Sequence, residues 1–235
     1  MHRGFIFFVA GSLSLAGMVR PAHAQQQASP QSSDTQNENS KRIFWIIPNF
    51  RTAPLPPVYT PLTVRQKWKI AAADTFDRGT FALAALFAAE SQLSNSDRSF
   101  GQGAKGYARY FGTSYADFAI GDLMTEGVGP TLFHQDPRFF RRGTGSAGSR
   151  FRYAAGQIFL THGDNGHTQF NFSEVVGNSA AVAISMSYYP EHRNASDAVA
   201  KLGTQLGVDM ASNIIKEFAP DLARKFSRKH KDGTK

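Results

Sequence analysis

Residues 138–152 gather Arg138, Arg141, Arg142, Arg150 and Arg152 around the loop Gly143-Thr-Gly-Ser-Ala-Gly148, with no acidic residue between Asp136 and Asp164. A Gly/Ser loop that feeds a helix N-terminus offers free N–H groups and the positive end of the helix dipole. Guanidinium forks grip phosphate or carboxylate oxygens in pairs. These five arginines are therefore expected to bind an anion. The competing expectation is a basic loop anchored by Phe139, Phe140, Phe151 and Tyr153, with its arginines solvated or paired to Asp117, Asp122 or Glu126. The glycines at 143–148, like those at 101–106, also match the dinucleotide turn G-x-G-x-x-G. That turn functions only between a strand and a helix of a parallel β-α-β unit. Neither loop follows a strand-like segment, and a chain with 21 glycines produces such matches by chance, so no cofactor is expected.

A second group of residues has donor chemistry. His162-x-Asp164-x-x-His167 places two imidazoles and a carboxylate in one loop, and His134 and Asp136 stand in another. Nitrogen and carboxylate donors of this kind ligate zinc or act as acid and base. Should the two loops meet, they form a small hydrolytic site, with or without a metal. Should the side chains diverge, Asp164-Asn165-Gly166 is a turn and nothing more. The spacing matches no standard zinc signature, so these five are weak metal candidates. Ser149-Arg150 ahead of His162 and Asp164 echoes lipid phosphatases, but the spacing is wrong and their lysine and Pro-Ser-Gly-His motif are missing. Glu174 with Asn178, Asp209 with Asn213, and Asp117 sit inside otherwise apolar helical stretches. An internal hydrogen-bond network is expected of them before catalysis.

The elements that must hold these residues read as helices. Thr63-x-x-Gln66 is a capping box. Helical patterns follow after Asp77, over 104–126, after Asp136-Pro137 (PRFFRR), over 149–160, from Asn171 to Ser187, and over 196–218 with a short extension past Pro220. Gln169–Phe172 is the one short strand candidate, and the repeated alternating segments of an outer-membrane barrel are missing. Small residues recur every four positions at Ala104/Ala108/Gly112/Ala116, Gly177/Ala181/Ser185, Gly203/Gly207/Ala211 and Ala84/Ala88. Such ridges let helix backbones approach closely. The expected fold is all-α, a compact bundle of about five to seven helices packed through small-xxx-small faces, preceded by an extended Pro-rich segment.

The flanks point to export. Residues 1–24 carry a basic start, an apolar run from Phe5 to Val19 and the Ala22-His23-Ala24 cleavage pattern of a signal peptide. Residues 25–40 are Gln/Ser/Asn-rich and read as a disordered linker. Residues 41–62 form a Pro-rich extended arm whose Ile43–Ile47 apolar patch is expected to pack on the helical domain, residues 63–223. Removing Arg3 and Arg20 with the signal lowers the net charge from +8 to +6, and residues 224–235 form a basic tail that holds +5 of it. The absence of cysteine excludes disulfides and thiol catalysis. A basic tail suits an anionic lipid surface or envelope polymer, and an exported protein has no nucleic-acid partner to meet.

Four segments, IIPNFRT (46–52), Gly101–Tyr115, TEGVGPTLFHQDPRFFR (125–141) and FNFSEVVGNSAA (170–181), resemble a family of exported bacterial helical proteins with no assigned activity. The resemblance covers most of residues 43–225. It implies an envelope location at the periplasm or outer-membrane periphery and a helical domain, and carries no catalytic residue with it.

Overall fold

The computed structural model describes residues 42–43, 47–48, 51–54 and 58–232. The expected signal peptide, the linker and much of the Pro-rich arm lie outside them. Within the arm, β1 (Arg42–Ile43) pairs antiparallel with β2 (Ile47–Pro48). A third short strand, β3 (Thr52–Pro54), runs into the helical domain.

Helix α1 (Val64–Thr75) starts where Thr63 caps it. Gln66 N–H donates to Thr63 Oγ1 at 3.3 Å, and Thr63 N–H donates back to Gln66 Oε1 at 2.8 Å. Helix α2 (Arg78–Ser94) is capped by Asp77, whose Oδ1 accepts from Gly79 N–H at 2.6 Å. It stops at Asn95 in a left-handed conformation, φ 50°, which asparagine tolerates better than most residues. Helix α3 (Gly103–Asp122) runs antiparallel in sequence order to α2 and packs on it; Ala88, Phe100 and Tyr110 form a small apolar core there, edged by Tyr107, Phe111 and Tyr189.

After α3 the helix widens into a π turn, Leu123–Val128, then closes with α4 (Gly129–Leu132). The pattern over 104–126 predicts one helix; the wider turn instead rotates Thr125, Glu126 and Gly127 into the interior. Close backbone approach makes this possible. A Cβ on Gly129 would stand 2.9 Å from Ser173 Cα, and one on Gly177 would stand 3.0 Å from the Met124 carbonyl oxygen. Helices α1 and α6 (Phe172–Ser185) both pack against the turn.

The segment 137–142 departs from expectation. Phe139–Arg141 forms a strand, β4, paired parallel with β3 in the register Thr52↔Phe139, Ala53↔Phe140, Pro54↔Arg141. Asp136 caps no helix here, because its Oδ1 folds back to accept from Arg138 N–H at 2.9 Å, closing a local turn. Helix α5 (Ala147–Gly156) follows, then the hairpin β5 (Leu160–His162) and β6 (Thr168–Phe170).

The last helix, α7, runs unbroken from Ala195 to Asp232 through Pro220. A proline inside a helix supplies no N–H and pushes the preceding turn outward. In that turn the Glu217 carbonyl accepts from Arg141 Nε at 2.9 Å and Arg150 Nη2 at 2.7 Å, so its demand is met from another element. The helical backbone continues through residues 224–232, which the sequence reads as tail.

The all-α bundle is thus as expected, but its interior is mostly polar. Ala71, Ala84, Ala88, Ala154 and Ala181 are buried with few large apolar partners, while Arg51, Lys67, Asp74, Glu126, Asp136, Glu174, Lys216 and Glu217 are buried with them. Of the four-spaced small residues, Ala84/Ala88 and Gly177/Ala181/Ser185 lie inside. Ala104/Ala108/Gly112 and Gly203/Gly207/Ala211 face outward.

Candidate functional site

The arginine loop is built around a carboxylate from the protein itself. Glu217 of α7, fully buried, places Oε1 2.6 Å from Arg150 Nε and 2.8 Å from Gly143 N–H, and Oε2 2.9 Å from Arg142 N–H. Gly143 has φ +67°, the turn that aims its N–H at this carboxylate. Asp221, one turn on, is 3.0 Å from Arg141 Nη2 and 2.7 Å from Arg150 Nη2, and Arg224 reaches it as well. Burial disfavours the charge on Asp221, but hydrogen bonds from Arg150 and Arg224 outweigh it and hold the carboxyl below its ordinary range.

The remaining two arginines separate from this group. Arg138 makes a paired contact with Asp136, 2.6 Å at the closest, and donates to the Thr60 carbonyl at 2.8 Å. Its guanidinium lies 5.1 Å from the Phe140 ring centroid. Arg152 is exposed on α5, and the Arg142 side chain, also exposed, donates to Ser149 Oγ at 3.0 Å. The loop's donors therefore converge on carboxylates of the chain itself. Their partners are Glu217 and Asp221, not Asp117, Asp122 or Glu126.

The two His/Asp loops do meet through their backbones. Asp136 N–H donates to the His162 carbonyl and Asp164 N–H to the His134 carbonyl, both at 2.8 Å. Their side chains part. Asp136 is taken by Arg138 and by Tyr59 Oη at 2.8 Å. Asp164 receives the buried Lys67 ammonium on both oxygens at 2.8 Å. His162 stacks on Tyr59, and His167 is exposed. His134, 85 % exposed, comes within 3.9 Å of Asp164 and no closer. Among the described residues no three His, Asp or Glu side chains are grouped to hold a metal.

The interior cluster is the larger constellation. It joins Arg51 from the arm, Asp74 from α1, Asp122 from α3, Glu126 from the π turn, Glu174 from α6, and Asp209 and Lys216 from α7. Arg51 Nη1 stands 3.1 Å from Glu126 Oε1. Asn178 Nδ2 bridges Glu174 Oε1 at 3.1 Å and Asp209 Oδ2 at 3.2 Å. Burial, reinforced by neighbouring carboxylates, pushes Glu126, Asp122 and Glu174 well above the usual carboxyl range. Asp74 is raised by burial too, less because Lys216 and Arg51 oppose it. Burial lowers Lys216, with Arg51 adding to it. Burial also works against Arg51, but Glu126, Glu174 and Asp209 keep it firmly protonated.

A polar cleft of about 30 Å³ leads to this cluster. Asp136 and Arg138 stand along its wall with Asn171, Glu174, Asn213 and Arg51. Its volume suits roughly one or two waters. A separate group surrounds Asp117, which accepts from Ser185 Oγ at 2.6 Å and Tyr189 Oη at 2.8 Å and pairs with Lys201 at 2.8 Å. That carboxylate is saturated.

Sequence pattern alone singles out Glu174, Asn178, Asp209 and Asn213 but passes over Arg51, Asp74, Glu126, Lys216 and Glu217. A usable signal existed for Glu126, flanked by Thr125 and Gly127 and followed by Gly129, since small neighbours permit burial of a long side chain. Nothing local marks Arg51. No protein-family model, curated protein or solved structure matches this chain.

Proposed function

We propose that this is an exported, envelope-associated helical protein without catalytic activity, which rests on an anionic membrane surface through α6, α7 and the basic residues that end α7. One observation carries the reading: charged groups are packed inside while the exposed residues of α6, and of α7 up to Leu222, are all uncharged. Phe172, Val176, Ser179, Ala183 and Ile184 are the exposed residues of α6, and none is charged. From Ala195 to Leu222 every exposed residue of α7 is likewise uncharged, with Val199 71 % exposed. The two helices pack side by side. Helix α2 adds Phe81, Leu86 and Leu93, the last 88 % exposed.

A bundle facing water on all sides places charges outward, because each buried charge needs a partner and each exposed aliphatic side chain forgoes about 1.5–3 kcal/mol of burial. Contiguous exposed apolar faces mark contact with a partner or a membrane. The basic residues beyond Asp221 favour an anionic lipid surface as that contact, each adding about 1 kcal/mol near the head groups. No helix among the described residues is long and apolar enough to cross a membrane. The association is therefore lateral, with the helices lying along the interface.

The arginine loop supplies little of the binding, since Glu217 and Asp221 occupy Arg141 and Arg150; Arg142 and Arg152 remain exposed for head groups. A hydrolase built on His134/Asp136 and His162/Asp164/His167 finds its carboxylates already engaged by Arg138, Tyr59 and Lys67. The test is flotation with vesicles of phosphatidylcholine, with and without phosphatidylglycerol. The full chain is expected to float with the anionic vesicles, and Val176→Asp/Val199→Asp to stay at the bottom while keeping its helical circular dichroism. Equal flotation of both proteins, or none by the wild type, overturns the reading.

A further inference from the structure

We propose that the interior acidic cluster is a proton-binding site, in which the pairs Asp74–Glu126 and Glu174–Asp209 each hold one proton between facing carboxyl groups, exchanged with solvent through the cleft beside Arg138. The inference is independent of membrane contact.

Charge is the first ground. Asp74, Asp122, Glu126, Glu174 and Asp209 face Arg51 and Lys216, and Asp77 at the start of α2 acts on Asp74 as well. Fully ionised, the carboxylates outnumber the cations, and a low-dielectric interior does not hold that excess. Like-charged carboxylates at close quarters resolve the conflict by sharing protons.

Geometry is the second ground. Asn178 Nδ2 holds Glu174 Oε1 at 3.1 Å and Asp209 Oδ2 at 3.2 Å, which brings those two carboxyl groups together, and α1 packs Asp74 against the π turn that carries Glu126. An ionised carboxylate only accepts, so two of them cannot bond without a proton between them. Asp74 Oδ1 and Glu126 Oε2 are both buried with no donor among the described residues, and so is Asn213 Oδ1 on the cleft wall. A proton on the Asp74–Glu126 pair supplies the missing donor. Buried acceptors left without one cost about 1–3 kcal/mol each.

A metal cation is the rival ligand, and Arg51 and Lys216 already stand among these carboxylates as its competitors. The route is set by the cleft. Glu174 and Asn213 line it together with Asp136, and Arg138, the more exposed of these side chains, stands beside Asp136. A water there passes a hydronium proton to the Glu174–Asp209 pair and accepts it back when the pair ionises, so the exchange balances without a co-reactant.

Difference infrared spectroscopy of the full chain in H2O and D2O tests this. At neutral pH the wild type is expected to show protonated-carboxyl C=O bands that shift in D2O, with one component lost in Glu126→Gln and another in Glu174→Gln. Asn213→Leu narrows the cleft and is expected to slow the D2O shift several-fold without removing either band. Absence of protonated-carboxyl bands in the wild type overturns the proposal, whatever the variants do. A stoichiometric metal found by emission spectrometry in place of those bands overturns it too. An unchanged exchange rate in a folded Asn213→Leu protein overturns the route.

Discussion

Replacing Glu217 with alanine removes the carboxylate that closes the arginine loop onto α7. Three donors lose their acceptor: Arg150 Nε at 2.6 Å, Gly143 N–H at 2.8 Å and Arg142 N–H at 2.9 Å. Breaking a buried ion pair from one side costs about 3–5 kcal/mol, because the other charge stays buried. Asp221 still holds Arg150 at 2.7 Å, and the loop around Arg142 and Gly143 is open enough to admit water. The expected loss is therefore near the lower end, about 3 kcal/mol. In a domain of this size that lowers the melting temperature by roughly 6–12 °C. Glu217→Gln keeps an acceptor oxygen and is expected to lose less than Glu217→Ala. Urea unfolding followed by circular dichroism measures both, and inorganic phosphate adds a sharper readout. With Glu217 gone the loop is an empty anion site, so phosphate is expected to raise the midpoint of Glu217→Ala more than that of the wild type. A loss below about 1 kcal/mol refutes the idea that this carboxylate is the loop's anion, since that is the level of an exposed pair. Equal phosphate effects on the two proteins refute it independently.

Two further outcomes follow from the interior. Asp74, Glu126 and Glu174 bind protons more tightly folded than unfolded, so stability is full below the unfolded carboxyl range near pH 4 and falls as pH rises through the higher folded values. The slope is about −1.4 kcal/mol per pH unit for each proton that the folded state retains; denaturant titrations at pH 5, 6 and 7 measure it, and a flat or rising profile contradicts it. Gly106→Ala would put a Cβ 2.2 Å from the Gly101 carbonyl oxygen, a backbone atom with little freedom to yield. It is expected to destabilise by about 1–3 kcal/mol, whereas Gly112→Ala, with nothing within 4 Å, is expected to stabilise through helix propensity; thermal melts of the two decide it.

Local physics made much of the helical scaffold legible. The Thr63–Gln66 capping box opens α1 where the sequence places it, and Asn171 caps α6, because a cap needs only residues a turn apart. The Asp164-Asn165-Gly166 turn is equally local, with Gly166 at φ +80°. Glu174, Asn178 and Asp209 joined one another as polar residues in apolar helices must.

Misread elements share one cause, the dependence on a distant partner. Phe139–Arg141 became a strand because β3, more than eighty residues earlier, offered an edge. Pro220 did not end α7, and in the turn before it the Glu217 carbonyl accepts from Arg141 and Arg150 of distant segments. The π turn that buries Glu126 rests on glycines lying against α1 and α6, and four-residue spacing cannot say which ridges face inward. Sequence alone determined a helical chain with an arginine-rich loop and charges in apolar stretches, since propensity, capping and residue chemistry act over a few residues. Only the tertiary structure decided that Glu217 closes the loop, that Arg51 enters the core, and that carboxylates from separate helices face one another, because those pairings are chosen by packing across the whole chain.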